Sequence, residues 1–382
     1  MTSGSVLIVS PIASHPADQG NAARIRAEAD ELRRRGVATD FFYYGMEGLS
    51  QEQFEAMSRY WRRFFFLKSL ALAPPALPHA WGLDDWCSDH LCEQVAAIVA
   101  RHRYDAVIVN YVWMSKIFER ISGPLKILDT HDLFGDRAKV AERARLEPRW
   151  FFTTLAEEDR GFARADVVIG IQEAESAKIA ARHNGRTITV GHPIDPHFML
   201  RAGKRPPPSF TFGYIGSGNP FNLASIAALD LAIAERGGID WALAGSITRN
   251  RLDLKSHPYR MGMVDKLTDF YDHVGCVLNP MIGGTGLKIK TIEALAYGRP
   301  IIGTVDAFEG IPARHPLHQL EAMEDMAAAL RDYQESAKLR DEMQKESYRV
   351  FALYMARVSR EYDLLADIIR QGGRARRLSG AA

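Results

Sequence analysis

The sequence predicts an α/β protein built from two similar halves. Three observations carry that expectation. Short, continuous apolar runs recur along the chain and alternate with helical stretches, as buried parallel strands alternate with crossover helices. The alternation stops in a proline-rich stretch and then starts again. At 382 residues the chain is long enough for two domains of ordinary size.

The elements follow in order. Val6-Leu7-Ile8-Val9 reads as a buried first strand. Ser10–Asn21 is a loop full of turn residues, and a polar helix is expected from about Ala22 to Arg35, stopped by Gly36. Further strands are expected at Val37–Tyr44, Ala106–Asn110, Lys126–Asp129 and Val167–Ile171, with helical stretches around 85–102 and 147–164. Residues 192–209 hold five of the 18 prolines, which is linker composition. The pattern resumes with strands at Thr211–Ile215, Trp241–Ala244, Cys276–Asn279 and Pro300–Gly303. Residues from about Met323 to Arg370 read as helical. The expected organisation is an N-terminal domain over 1–195, a linker over 196–208, a C-terminal domain over 209–350, a helix over 351–370 and a flexible tail over 371–382.

Composition excludes several classes. Lys plus Arg is 48 and Asp plus Glu is 47, a net charge of +1, so a nucleic-acid-coating protein is not expected. Cys87, Cys92 and Cys276 are too few for a disulfide framework. Cys87 and Cys92, with His90 between them, look like half a zinc site, but no second pair completes it and no metal site is expected. The first residues lack the pattern of a signal peptide, and nowhere do 18 uncharged apolar residues run together. The expected location is cytoplasmic.

Ligands of open α/β sheets bind at the carboxyl ends of the strands, so the residues just after each strand matter most. The strongest pattern there is residues 280–300. A strand ends at Asn279, and a glycine-rich turn follows, Gly283-Gly284-Thr285-Gly286. A helix then runs to Tyr297, with Gly298 and Pro300 beyond it. Glycines let a ligand approach the backbone, and a helix N-terminus offers free N–H groups and partial positive charge. Thr285 could cap the helix, while Lys288 and Lys290 add cationic charge. Together these suit a diphosphate, and Glu293 could accept two hydrogen bonds from a vicinal diol such as ribose. A glycine-rich turn by itself would equally suit an ordinary connection.

The whole run resembles the nucleotide-sugar signature of the retaining glycosyltransferases of the GT-B fold, their family 4 in particular. That signature is a glycine-rich turn, basic residues, then Glu-Ala and a Gly-x-Pro exit. The resemblance extends along nearly the whole chain. Ser10–Asn21 resembles the first glycine-containing loop, with Gly20 facing the cleft. Asp129-Thr130-His131-Asp132 resembles the N-domain histidine motif. Phe212-Gly213-Tyr214-Ile215-Gly216-Ser217 resembles the first strand and loop of the donor domain, and Gly262-Met263-Val264 the segment that frames the base. The resemblance implies two Rossmann-like domains facing a central cleft, with a C-terminal helix crossing back to the N-domain. Read from the residues alone, the Asp-Thr-His-Asp cluster is open to a metal, a proton-transfer or a capping role. The resemblance implies instead a contact between His131 and the donor sugar, with Asp129 or Asp132 orienting the ring.

Two departures stand out. Many members carry a second Glu eight residues before the first, and here that position is Thr285. Members also often have a basic residue soon after the first donor-domain strand, and Ser217–Asn222 has none. The segment around Gly216 superficially evokes a dinucleotide loop, but it lacks the third glycine in register.

Residues 56–83 carry Arg59, Arg62, Arg63 and Lys68 and no acid, interleaved with Tyr60, Trp61, Phe64, Phe65 and Phe66. Cations and rings together suit an anionic membrane surface. The competing reading is a segment whose aromatics enter the core and whose arginines face water.

The expectation is therefore a retaining, metal-independent glycosyltransferase that uses a nucleotide-diphosphate sugar as co-substrate, with no other cofactor. Gly20, Gly216, Met263, Val264, Thr285, Gly286, Lys288, Lys290 and Glu293 are the expected donor site, and His131 the catalytic contact. Arg59, Trp61, Arg62 and Arg63 are expected to face an acceptor or the inner leaflet, making the protein peripheral. The expected acceptor is a surface glycan or its lipid-linked precursor. The alternatives are a nucleotide-sugar epimerase of the same architecture, a catalytically silent homologue acting as a binding subunit, and a binding module for membrane glycolipids.

Overall fold

The computed structural model describes residues 4–379, apart from 18, 73, 136, 144–151, 201–206 and 284–285. Two wholly parallel sheets organise the chain. The first holds β1 (Gly4–Ser10), β2 (Val37–Gly45), β3 (Phe64–Lys68), β4 (Ala106–Asn110), β5 (Leu125–Asp129), β6 (Val167–Gly170) and β7 (Arg186–Thr189), in the order β3-β2-β1-β4-β5-β6-β7. The second holds β8 (Phe210–Ile215), β9 (Trp241–Ala244), β10 (Tyr259–Gly262), β11 (Val274–Asn279) and β12 (Ile301–Gly303), in the order β10-β9-β8-β11-β12. The strand order therefore reverses between β1 and β4 in one sheet and between β8 and β11 in the other. These are the crevices where α/β sheets take ligands.

Continuous apolar runs become strands buried on both faces. In β1, Val6 and Ile8 enter one core while Leu7 and Val9 enter another on the opposite side of the sheet. β11 behaves likewise, with Val277 in the core it shares with β1 and with Cys276 and Leu278 in a third core. The first helix is Gly20–Arg34, starting two residues before the expected Ala22, and Gly36 lies just beyond its end at φ 74°. It buries three charged residues, Arg24, Glu28 and Glu31, beside Ile25, Ala29 and Leu32.

After Met323–Glu335 a single helix runs from Ala337 to Ser379. It has no break at the expected boundary of 350 and continues through most of the stretch expected to be a tail. Tyr354, Val358, Tyr362, Leu365 and Ile369 of this helix share a core with Val6 and Ile8 of the first sheet. Its return to the N-terminal half is fastened by Tyr354 Oη, which accepts from His192 N at 2.9 Å and donates to His192 O at 3.0 Å. Part of the expected linker, 201–206, lies outside the described residues.

Candidate active site

A cavity of about 670 Å³ opens between the halves. Its N-terminal wall comes from the residues that follow β1, β4, β5 and β6: Pro11 and Ile12, Tyr111 and Trp113, His131 and Asp132, and Ile171. Gly20, Asn21 and Arg24 of the first helix join them. Gly286, Leu287 and Ile289 form the opposite wall, just after β11. A Cβ at Gly20 would stand 2.9 Å from Ile289 Cδ1, so that glycine keeps the two walls apart where they come close.

Beneath the cavity lies a buried ion pair. Arg24 Nε and Nη2 donate to Asp129 Oδ2 and Oδ1 at 3.0 and 2.9 Å, and both side chains are sealed from solvent. The other donors of Arg24 bond Val190 O and Gly191 O. His131 sits above this pair at the end of β5. Its Nε2 lies 3.3 Å from Asp129 Oδ2 but makes no hydrogen bond among the described residues. Burial, opposed by the Asp129 charge, lowers its pKa to about 4, so the imidazole is neutral at pH 7. The backbone of His131 is left-handed, φ 56°, as is that of Tyr111, φ 69°, at the end of the adjacent β4. Such conformations are strained for side-chain-bearing residues and cluster at functional sites. The two rings stack with centroids 4.4 Å apart. That stack lies on one side of the imidazole, and the Asp129 carboxylate stands beside its Nε2. Asp129 is held by Arg24, and Asp132 accepts from Arg137 Nη2 at 2.6 Å.

Across the cavity the glycine-rich turn is shaped by unexpected partners. Gly286, φ 73°, donates its N–H to Glu175 Oε1 at 2.9 Å, and Glu175 comes from the N-terminal half. Burial, reinforced by Asp132, raises the Glu175 carboxyl to about 8. Gly283 N–H donates to Asp306 Oδ2 at 2.6 Å. Thr285 lies outside the described residues. The helix that follows is Ile289–Ala296, and Lys288, not Thr285, immediately precedes it.

Lys288, Lys290 and Glu293 do not line the cavity. Lys288 is buried, its Nζ donating to Gly286 O at 2.8 Å. Lys290 Nζ donates to Tyr214 Oη at 2.8 Å and Asn222 Oδ1 at 2.7 Å. Burial and the neighbouring Lys288 charge lower it to about 7. Tyr271 Oη donates to Glu293 Oε2 at 3.4 Å, and burial raises Glu293 to about 7. Gly216 directly follows β8, its N–H bonded to Ala244 O at 3.2 Å. Met263 is 51% exposed just past β10, and Val264 beside it is partly buried. The structure thus brings Gly20, Gly286 and His131 to one cavity. Lys290 and Glu293 fall into a neighbouring polar layer with Tyr214, Asn222 and Tyr271. Sequence reasoning missed Arg24, Glu175, Tyr111 and Trp113. The last two directly follow β4, so the rule of inspecting strand ends could have found them.

The basic–aromatic segment folds differently from the expected surface. Trp61 is only 3% exposed, stacked on Phe41 with centroids 4.6 Å apart, its indole N–H donating to Ser14 Oγ at 2.9 Å. It is a core residue and presents no ring to a membrane. Arg62 grips Asp40 at 2.7 and 3.1 Å and Arg63 reaches the same carboxylate at 3.1 Å, while Arg59 is exposed. Among the described residues no helix is long and apolar enough to cross a membrane, and no group of three or more His, Cys, Asp or Glu side chains could hold a metal ion.

No protein-family model matches the chain, and no curated protein matches it in sequence. Solved structures match its fold over nearly its full length. Sucrose-phosphate synthase from Thermosynechococcus elongatus aligns with a TM-score of 0.67 and 17% identity, over 99% of this chain and 100% of that one. TarM aligns with a TM-score of 0.69 and 11% identity, over 96% and 99%. Anabaena HepE in complex with UDP aligns with a TM-score of 0.63 and 14% identity, over 96% and 100%. The architecture is that of the GT-B glycosyltransferases.

Proposed function

We propose that this chain transfers a sugar from a nucleotide-diphosphate sugar to an acceptor, with retention of anomeric configuration and without a metal ion. The observation that carries the reading is the cavity between the carboxyl ends of two parallel sheets, with a glycine-rich turn on one wall and a neutral, ligand-ready histidine on the other. The Gly286 amide and the start of helix Ile289–Ala296 are assigned to the diphosphate, with Lys288 and Lys290 adding charge. An ammonium has three donors, and Lys290 uses two on Tyr214 and Asn222, which leaves one for a phosphate oxygen. Glu293 is assigned to the ribose diol, with Gly216, Met263 and Val264 beside the base. Thr285 stays in the donor set on sequence grounds alone.

His131 is assigned to the donor sugar, near its anomeric carbon. Neutral and without a hydrogen bond at Nε2, it can bond a sugar hydroxyl or face developing positive charge without repelling it. The leaving phosphate takes the acceptor proton, so the chain contributes position and charge stabilisation rather than a general base. The acceptor is a growing surface glycan or its lipid-linked precursor.

HepE has been solved with UDP and with UDP and glucose, which makes UDP the first ligand to try. Calorimetric titration with UDP, ADP and GDP should show one preferred diphosphate, and Glu293→Ala should weaken it at least about tenfold. Unchanged affinity would remove Glu293 from the site. Donor hydrolysis separates the alternatives: a silent homologue releases no nucleoside diphosphate, and an epimerase converts the donor without an acceptor.

A further inference from the structure

Tyr214 holds a hydroxyl whose proton has no destination in the chain. The residue stands on β8 and is 1% exposed. Its Oη accepts from Lys290 Nζ at 2.8 Å, and among the described residues nothing accepts from its O–H. Burial raises the phenol well above its ordinary pKa, so that proton stays in place at neutral pH. Buried donors normally have an acceptor, and one without calls for an explanation. The position of the hydroxyl is built, not incidental. A Cβ at Gly216 would stand 2.6 Å from Tyr214 Oη, so the glycine directly after β8 is what leaves the hydroxyl its seat.

The surroundings point to an anion. Three elements meet at Lys290 Nζ: β8 through Tyr214, the start of helix Pro220–Arg236 through Asn222, and helix Ile289–Ala296, which carries the lysine. Asn222 accepts from Nζ at 2.7 Å, and its Nδ2 donates to Ser217 O at 2.9 Å. The loop Ser217–Asn222 has no Lys or Arg of its own, and Lys290 brings a positive charge to it. Both hydrogen-bond partners of the ammonium are neutral, so neither cancels that charge. A phenol that accepts from an ammonium is polarised and becomes a stronger donor in turn. Lys290 and Gly216 are half-buried and Ser217 is exposed, which leaves this side of the layer open to a ligand.

Resting on the transfer reading above, we propose that Tyr214 is a second direct donor to the diphosphate, its O–H bonding a phosphate oxygen while its Oη accepts from Lys290. Phenol and ammonium then act as a pair, each giving one hydrogen bond to the anion. Recognition of the diphosphate extends in this way from the glycine-rich turn to the end of β8. A tyrosine that only positioned Lys290 would have no use for the outward proton.

The test compares UDP with uridine, which lacks the phosphates, by ligand-observed NMR reaching millimolar affinities. If ADP or GDP is the preferred diphosphate, it and its nucleoside replace them. Tyr214→Phe removes one oxygen and its proton from a buried ring. It should weaken UDP at least about tenfold and leave uridine unchanged, which also shows that the variant is folded. A double-mutant cycle separates contact from positioning. In a Lys290→Met background, Tyr214→Phe should again weaken UDP several-fold. A further cost below about twofold there would make Tyr214 a positioning residue for Lys290 and overturn the proposal. Undiminished UDP binding by Tyr214→Phe, or equal loss of UDP and uridine, would overturn it too. A wild-type chain that binds no nucleoside diphosphate removes the transfer reading and this proposal with it, whereas a wild type that binds UDP and a Tyr214→Phe variant that binds it equally remove this proposal alone.

Discussion

Lys290 and Glu293 are held near mid-titration at neutral pH, and burial is the main cause for both. If Lys290 attracts the diphosphate, affinity falls as pH rises through about 7 and the ammonium loses its proton. If Glu293 accepts from the ribose as a carboxylate, affinity falls as pH drops through about 7 and it gains one. UDP affinity should therefore peak near pH 7 and decline on both sides, with apparent pKa values that belong to the linked groups. A flat calorimetric profile between about pH 6 and 8.5 would refute both roles. Glu175 sharpens the point, because its carboxyl occupies the Gly286 N–H that a phosphate oxygen is assigned to take. Glu175→Ala should raise UDP affinity several-fold; a drop would make Glu175 part of the donor contact. Gly20, Gly286 and His131 were legible in the sequence because each lies in the loop, or at the helix start, that follows a strand. Arg24, Glu175 and Asp40 were not. Each is defined by a partner far along the chain: Asp129, Gly286 and the Arg62–Arg63 pair. No local pattern reports such a pairing.

Strands at the middle of each sheet were easy to read, and of the four edge strands β12 alone was expected. β1, β4, β9 and β11 are buried on both faces and appear as unbroken apolar runs. The three strands not expected, β3, β7 and β10, all lie at sheet edges. Phe64–Lys68, Arg186–Thr189 and Tyr259–Gly262 are short, half-exposed and extended because a neighbour pairs with them, which single-sequence pattern does not show. The first helix shows the same limit in another form. Its polar composition suggests a solvated face, yet Arg24 and Glu28 point inward. Arg24→Met should destabilise the protein by about 3–5 kcal/mol, because Asp129 would remain as an uncompensated buried charge. Urea denaturation would check it, and a loss below about 1 kcal/mol would show that the pair is dispensable.

At the scale of the molecule the two halves meet twice, once at the cavity and once along the last helix. The second contact depends on Tyr354, whose hydroxyl both donates to and accepts from the His192 backbone. Tyr354→Phe should cost about 1–2 kcal/mol, since it strands a buried N–H and a carbonyl at once. Thermal denaturation should show the loss, and UDP affinity should be unchanged if the donor site lies wholly on the other contact. The two-domain plan was legible from the restart of the strand pattern after the prolines, but the reach of the last helix rested on family resemblance. The course of that helix also bears on how the protein is made. Val350, Tyr354, Val358, Tyr362 and Ile369 complete a core whose other members begin at Val6. On the ribosome the N-terminal half emerges first, yet this face of its sheet is covered only in part, by Ile25, Ala29 and Leu32 of the first helix, until residues beyond 350 have been translated. The packing of that face is therefore completed only after the C-terminal half has been made.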